Sequence, residues 1–192
     1  MLLQRPFKLF GIEIRHEPAV IFNLEKIFNE LGPFDWVIEL GTGNGGLAIF
    51  FSVQQRIRGG KFVTFDFDLE GKTGKNPRGV QVDRLKRLSI SYQEKDIFSP
   101  RTRGSILRRI KEGKTFLYCD NGNKATEFRT FAPHLKPGSV VGVDDWGTEI
   151  REEHVSEICK RQGLRPIKQW IVGARQRFWL KDPADPVGRE GR

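Results

Sequence analysis

The residues of this chain best suited to chemistry lie in one short stretch, Glu39-Leu40-Gly41-Thr42-Gly43-Asn44-Gly45-Gly46, between the apolar run DWVIEL and the amphipathic stretch Leu47 to Ile57. Glycines at alternate positions let the backbone turn sharply and come close to a ligand. A helix starting behind them offers free amide groups and the positive end of its dipole. The stretch reads as a binding loop between a strand and a helix. It also satisfies G-x-G-x-x-G at Gly41, Gly43 and Gly46, with the acidic Asp66 further along, so a dinucleotide remains an open alternative at this point.

A second set of candidates emerges from the elements that must position this loop. Apolar periodicity predicts a helix from Pro18 to Leu31, stopped by Gly32 and Pro33, then a strand over DWVIEL and the loop and helix just described. Further strands are predicted at KFVTFD (61–66), near Ser89 to Gln93, at TFLYCD (115–120) and at SVVGVDD (139–145). Helices are expected around Val82 to Leu88, from Pro100 to Lys111, from Lys124 to Leu135 and from Thr148 to Gln162. Leu164 to Val172 and Ala174 to Lys181 read as a closing hairpin. Alternating strands and helices imply an α/β fold, with a mostly parallel, doubly wound sheet covered on both faces. Ligands bind beyond the carboxyl ends of such strands. Glu39, Asp66, Asp96, Asp120, Asp144 and Asp145 all fall at or just past predicted strand ends. Each acid alone could be a helix cap or a turn former; together they suit a sulfonium or ammonium cation, ribose hydroxyls or a metal ion.

Composition narrows the class. The chain has 192 residues, 38% hydrophobic and 15 of them Phe, enough for the core of one domain over residues 1–192. Residues 1–17 are expected to form a small hairpin or a cap over the site, and 182–192 a loose tail. No stretch matches a membrane span, and the opening residues lack the apolar region of a secretion signal, so a cytoplasmic protein is expected. Two cysteines, Cys119 and Cys159, exclude a disulfide framework and read as reduced thiols. The net charge of +9 invites a nucleic-acid reading, but the basic residues are scattered over several short clusters rather than gathered in one tract.

Three features favour S-adenosylmethionine over a nicotinamide cofactor: Glu39 two places before the first glycine, the helix ahead of the first strand, and the closing hairpin. The order VIELGTGNGG, FVTFD, Asp96 and YCD resembles class I S-adenosylmethionine-dependent methyltransferases over roughly residues 18–181. The resemblance implies a Rossmann-like, seven-stranded sheet with a C-terminal antiparallel hairpin. It implies a cofactor loop of Glu39, Gly41, Thr42, Gly43, Asn44 and Gly45, with Asp66 on the ribose and Asp96 and Ile97 facing the adenine. Asp68 competes with Asp66, and Glu94 with Asp96 if the register shifts.

The segments FLYCDNGNK and FAPHLKPGSVVGVDDWG look like the macrocin-type and cephalosporin hydroxylase-like subset of metal-dependent, small-molecule O-methyltransferases. By that resemblance Asp120, Asp144 and Asp145 would hold Mg2+, Asp120 would act in catalysis, and a sugar-like hydroxylated acceptor would be methylated. Lys124 is a candidate base, although catechol-type relatives carry their lysine one place earlier, where this chain has Asn123. His134 is predicted at the far end of the sheet and His154 on an exposed helix face. His16 is of interest only because the N-terminal segment could cover the site. Trp146 is either core or an aromatic wall. A short-chain oxidoreductase would need Tyr and Lys four apart, which neither Tyr92 nor Tyr118 provides, and the N-P-P-Y-like segment of amino-methylating nucleic-acid enzymes is absent after the fourth strand.

Overall fold

In the computed structural model, which describes residues 7–67, 82–168 and 173–182, the chain begins with a two-stranded hairpin, β1 (Phe7–Leu9) and β2 (Ile12–Ile14). Its two-residue turn places Phe10 and Gly11 at φ 50° and 78°, the left-handed pair that matches strand twist in tight hairpins. The remaining elements are α1 (Ala19–Leu31), β3 (Trp36–Leu40), α2 (Gly46–Arg58), β4 (Lys61–Asp66), α3 (Val82–Arg87), β5 (Tyr92–Glu94), α4 (Pro100–Glu112), β6 (Thr115–Cys119), α5 (Lys124–Phe131), β7 (Val140–Val143), α6 (Glu152–Gln162), β8 (Leu164–Ile167) and β9 (Arg177–Lys181).

The seven-stranded sheet has the order β5-β4-β3-β6-β7-β9-β8. β3 to β7 run parallel, and β9 runs antiparallel to both β7 and β8. The chain moves outward from β3 to β5 and then returns to the other side of β3 as β6. The carboxyl ends of β3 and β6 therefore frame the switch point where an open α/β sheet binds its ligand.

Strand alternation sorts the core onto two faces. Phe116 and Tyr118 of β6 pack with Phe28, Phe34, Phe51 and Phe178 under α1 and α2, whereas Leu117 and Cys119 pack with Phe65, Ile106, Phe128 and Trp179 under α4, α5 and α6. The hairpin joins a third cluster, in which Ile12 meets Ile49 of α2 and Leu85 of α3.

The expected element order holds, with local departures. β5 starts at Tyr92, after a turn over 88–89 in which Ser89 takes φ 52°. The helix from Lys124 stops at Phe131 and tightens into a 3-10 turn, Ala132–His134, because Pro133 cannot continue the α-helical hydrogen bonding. The helix expected from Thr148 begins at Glu152; the amides of Thr148 and Glu149 instead both bond the carbonyl of Asp145, which sits at φ 53°. The expected strand to Val172 ends at Ile167. The tail from residue 183 and Asp68 lie outside the described residues. Both cysteines are free thiols, and among the described residues no helix is long and apolar enough to cross a membrane.

Phe116 touches five other rings: Phe28, Phe34, Phe51, Tyr118 and Phe178. Phe116→Ala should lower stability by about 3–5 kcal/mol in urea unfolding, whereas the surface change Arg108→Ala should stay within about 0.5 kcal/mol. Equal midpoints for the two variants would contradict this assignment of the core.

Candidate functional site

The loop after β3 is shaped by contacts on both sides. The amide of Gly41 bonds the carbonyl of Phe65 at 2.8 Å, and the carbonyl of Leu40 accepts from the amide of Asp120 at 2.7 Å. A side chain at Gly41 would put its Cβ 2.2 Å from the carbonyl oxygen of Asp120, and φ is +97° there, so only glycine fits. Gly46 answers to packing: a Cβ at that position would lie 2.3 Å from Ile14 and 3.0 Å from the carbonyl of Glu13. The hairpin is thereby seated against the start of α2, and Asn44 donates to Glu13 at 3.1 Å.

Asp66 supports this loop from below. One carboxylate oxygen accepts from the amides of Thr42 at 3.0 Å and Gly43 at 3.2 Å, and the other from the amide of Phe67 at 2.8 Å. It stands under the loop as a clamp. The expected adenine pair, Asp96 and Ile97, follows β5. Ile97 is buried in the core beside Ile38 and Phe65, and Asp96 caps its own turn by accepting from the amide of Phe98 at 2.9 Å.

A cavity of about 230 Å3 opens at the switch point, with Glu39, Gly41, Thr42, Gly43 and Asn44 on one side and Asp120, Asp144 and Asp145 on the other. Gly45, expected in the same loop, is the N-cap of α2 at φ 87°. The third wall is Glu13 to His16, so the N-terminal segment is both a hairpin and a cover. His16 Nε2 lies 3.0 Å from Asp120 Oδ2 and 3.2 Å from Asp144 Oδ2. Burial alone would depress its pKa, but hydrogen bonds to the two aspartates outweigh that and raise it to about 10. Asp144 is itself pushed up, by burial first and then by the charge of Asp120, against the pull of His16.

Asp145 belongs to a different set of contacts. Its carboxylate pairs with Arg175 at 3.1 Å and Lys124 at 3.3 Å, and does not join the His16 cluster. Of the expected triad Asp120, Asp144 and Asp145, all three line the cavity, and ligand atoms of Asp120 and Asp144 lie within 4.8 Å of one another and of His16. Adjacent residues at a strand end point to opposite sides, which separates Asp144 from Asp145. Lys124 Nζ is buried between Asp120 at 3.2 Å, Asp145 and Glu149 at 2.7 Å. Burial opposes its charge, but the three carboxylates win and hold its pKa above the usual lysine range. Lys124, the candidate base, is here a buried counter-ion to these carboxylates.

Several contributors carried no sequence signal. Glu127, fully buried, accepts from the amides of Asn121 and Asn123 and so holds the loop bearing Asp120; burial raises its pKa to about 8. Glu149 and Arg175 complete the ion pairs. Glu39 is buried against Thr64, its pKa driven well up by burial despite that hydrogen bond, and its Oε2 has no hydrogen-bond partner among the described residues. Asp144 Oδ1 and His16 Nδ1 are likewise buried without one. His134 is exposed and His154 closes the start of α6, bonding the amide of Arg151. Trp146 packs on Trp179 at 5.5 Å and also walls a second cavity, of about 510 Å3, between α6 and the β8-β9 pair, away from the glycine loop.

With this geometry established, comparison with solved structures is informative. An apo structure of CmcI superposes with a TM-score of 0.67 at 16% identity, covering 93% of this chain and 77% of that one. A form of CmcI with SAH gives 0.56 at 17% identity, covering 89% and 81%. A ribosomal-protein methylase from Lactobacillus delbrueckii subsp. bulgaricus gives 0.51 at 11% identity, covering 85% and 77%. No protein-family model matches the sequence, and no curated protein matches it. The fold is the Rossmann-like fold of S-adenosylmethionine-dependent methyltransferases.

The buried groups of the site share one pH consequence. His16 at about 10, Glu127 at about 8, and Glu39 and Asp144 above their ordinary range all bind protons more tightly folded than unfolded. Stability from His16 is complete below pH 6.5 and lost as pH rises towards 10; the acids weaken the fold from about pH 4.5 upward. The exposed His134, lowered by partial burial, opposes this only slightly. In chelator the urea midpoint should fall from pH 6 to pH 9.5, and His16→Asn should flatten the part of that fall above pH 7. A midpoint rising over this range would contradict the charge arrangement.

Proposed function

We propose that this protein transfers a methyl group from S-adenosylmethionine to a hydroxyl oxygen of a small, sugar-like acceptor, assisted by a divalent cation. The observation that carries the reading is the crevice between β3 and β6, which joins a glycine loop of methyltransferase type to a cluster of buried carboxylates. CmcI, which shares the fold, is described in SAH and Mg-SAM forms; the Mg-SAM form aligns with a TM-score of 0.53 at 16% identity, covering 72% of this chain and 57% of that one.

The donor set fits a cation. Asp120 and Asp144 both bring an oxygen to His16 Nε2, and the buried Asp144 Oδ1 has no hydrogen-bond partner among the described residues. Oxygen donors of this kind suit Mg2+ and related ions. A cation held there would lower the pKa of an acceptor hydroxyl and orient it. In-line methyl transfer then needs chiefly positioning, which falls to residues of this chain. Gly41 to Asn44 present backbone to the methionine portion of the donor, while Glu39 supplies a carboxylate to its ammonium group. Asp66 acts through the loop, keeping the amides of Thr42 and Gly43 in place. Lys124 holds Asp120 and Asp145 in their orientations.

Titration calorimetry with S-adenosylhomocysteine tests the donor site. Binding should be measurable, and Asp66→Ala should weaken it by about 1–3 kcal/mol through loss of the loop's charged acceptor. NAD binding in its place would overturn the reading. In an acceptor screen, chelator or Asp120→Ala should suppress turnover far more than it reduces S-adenosylhomocysteine binding; full turnover in chelator would leave a metal-independent methyltransferase.

A further inference from the structure

The hairpin places His16 against the carboxylate cluster, where a single N–H would have to be shared between two aspartates. Nε2 stands 3.0 Å from Asp120 Oδ2 and 3.2 Å from Asp144 Oδ2, but an imidazole nitrogen has only one N–H and one direction in which to point it. An ion lying between the three atoms satisfies all of them at once. The two distances from Nε2 agree with this: with metal–ligand bonds of about 2.1 Å, adjacent ligand atoms of an octahedral or tetrahedral shell lie roughly 3.0–3.4 Å apart, and the two carboxylate oxygens lie within 4.8 Å of each other. The buried Asp144 Oδ1 and Glu39 Oε2, both without a hydrogen-bond partner among the described residues, border the same cavity and leave room there for positive charge.

We propose that His16 is a direct ligand of the cation at this site, forming with Asp120 and Asp144 an imidazole-dicarboxylate set that favours a borderline divalent ion such as Co2+ or Zn2+ over Mg2+. The inference rests on the cation assigned above and changes its ligands and its identity. Imidazole nitrogen suits Zn2+, Co2+ and Fe2+, whereas Mg2+ takes oxygen and keeps its waters. The ligand is delivered by the hairpin, not by the sheet, and the hairpin is held by Ile14 against Gly46 and by Glu13 on Asn44. Metal binding therefore also fastens the N-terminal cover. Asp145 is outside the shell because Lys124 and Arg175 occupy its oxygens.

The test uses the metal-stripped full chain, titrated with CoCl2 and with MgCl2, as wild type, His16→Ala and His16→Gln. Wild type should bind Co2+ at least about tenfold more tightly than Mg2+, and both variants should lose about tenfold or more in Co2+ affinity with little change for Mg2+. Proton NMR of the Co2+ form should show a far-shifted exchangeable resonance from a coordinated imidazole N–H, absent from both variants. Thermal unfolding in chelator checks that the variants are folded, and His16→Gln keeps a side chain of similar size if His16→Ala is not. Equal Co2+ affinity in wild type and a folded variant, or no shifted imidazole signal, would overturn the ligand assignment and leave an all-carboxylate cation. Failure of wild type to bind either ion would overturn both, while S-adenosylhomocysteine binding would still report on the donor site.

Discussion

The close approach of Gly41 to Asp120 governs the rest of the site. With 2.2 Å between a would-be Cβ and the Asp120 carbonyl, the loop after β3 and the loop after β6 lie in direct backbone contact. Parallel pairing of β3 with β6, in the register Leu40↔Cys119, ends both strands at the same level. Hydrogen bonds from Gly41 to Phe65 and from Asp120 to Leu40 tie the two loops across three adjacent strand ends. A ligand held by the glycine loop must therefore lie beside the carboxylate of Asp120. The switch point of the sheet supplies the crevice, and glycine allows it to close this far.

Charge balance follows from that geometry. Glu39, Asp120, Asp144 and Asp145 crowd one end of the sheet, where burial makes unpaired carboxylates costly. The chain places three cations against them: His16 from the hairpin, Lys124 from the first turn of α5 and Arg175 from the segment before β9. Each comes from a different element, so the ion pairs also link the hairpin, α5 and the C-terminal strands. Glu127 serves the same cluster indirectly, through the amides of Asn121 and Asn123. Among the described residues, one oxygen each of Glu39 and Asp144 still lacks a hydrogen-bond partner, and that is the local feature on which the proposed cationic ligand rests.

The parts of this arrangement that were legible in the sequence are those with local causes. Apolar periodicity located β3, β4, β6 and the helices between them, and the glycine run marked the loop because its backbone demands are local. KFVTFD matches β4 residue for residue. The acids at the ends of β6 and β7 could be placed because strand ends set their level in the fold. Side-chain direction could not be read in the same way. Whether Asp144 or Asp145 enters the cluster depends on the turn that follows, with Asp145 at φ 53°, and whether Asp66 faces a ligand or its own loop depends on amides 23 and 24 residues away. His16 lies 104 residues from Asp120, and the contact exists only because the hairpin packs on Gly46. The third strand was hardest to place because it is three residues long and half-buried.

The central claim is that the glycine loop and the Asp120-Asp144 pair form one site. It is tested most directly by a crystal structure grown with S-adenosylhomocysteine and a cation visible by anomalous scattering, such as Co2+. The account predicts the methionine portion along Gly41 to Asn44 and a single anomalous peak about 2.1 Å from oxygens of both Asp120 and Asp144, in the same crevice. S-adenosylhomocysteine bound elsewhere, or a cation peak away from these two carboxylates, would contradict it.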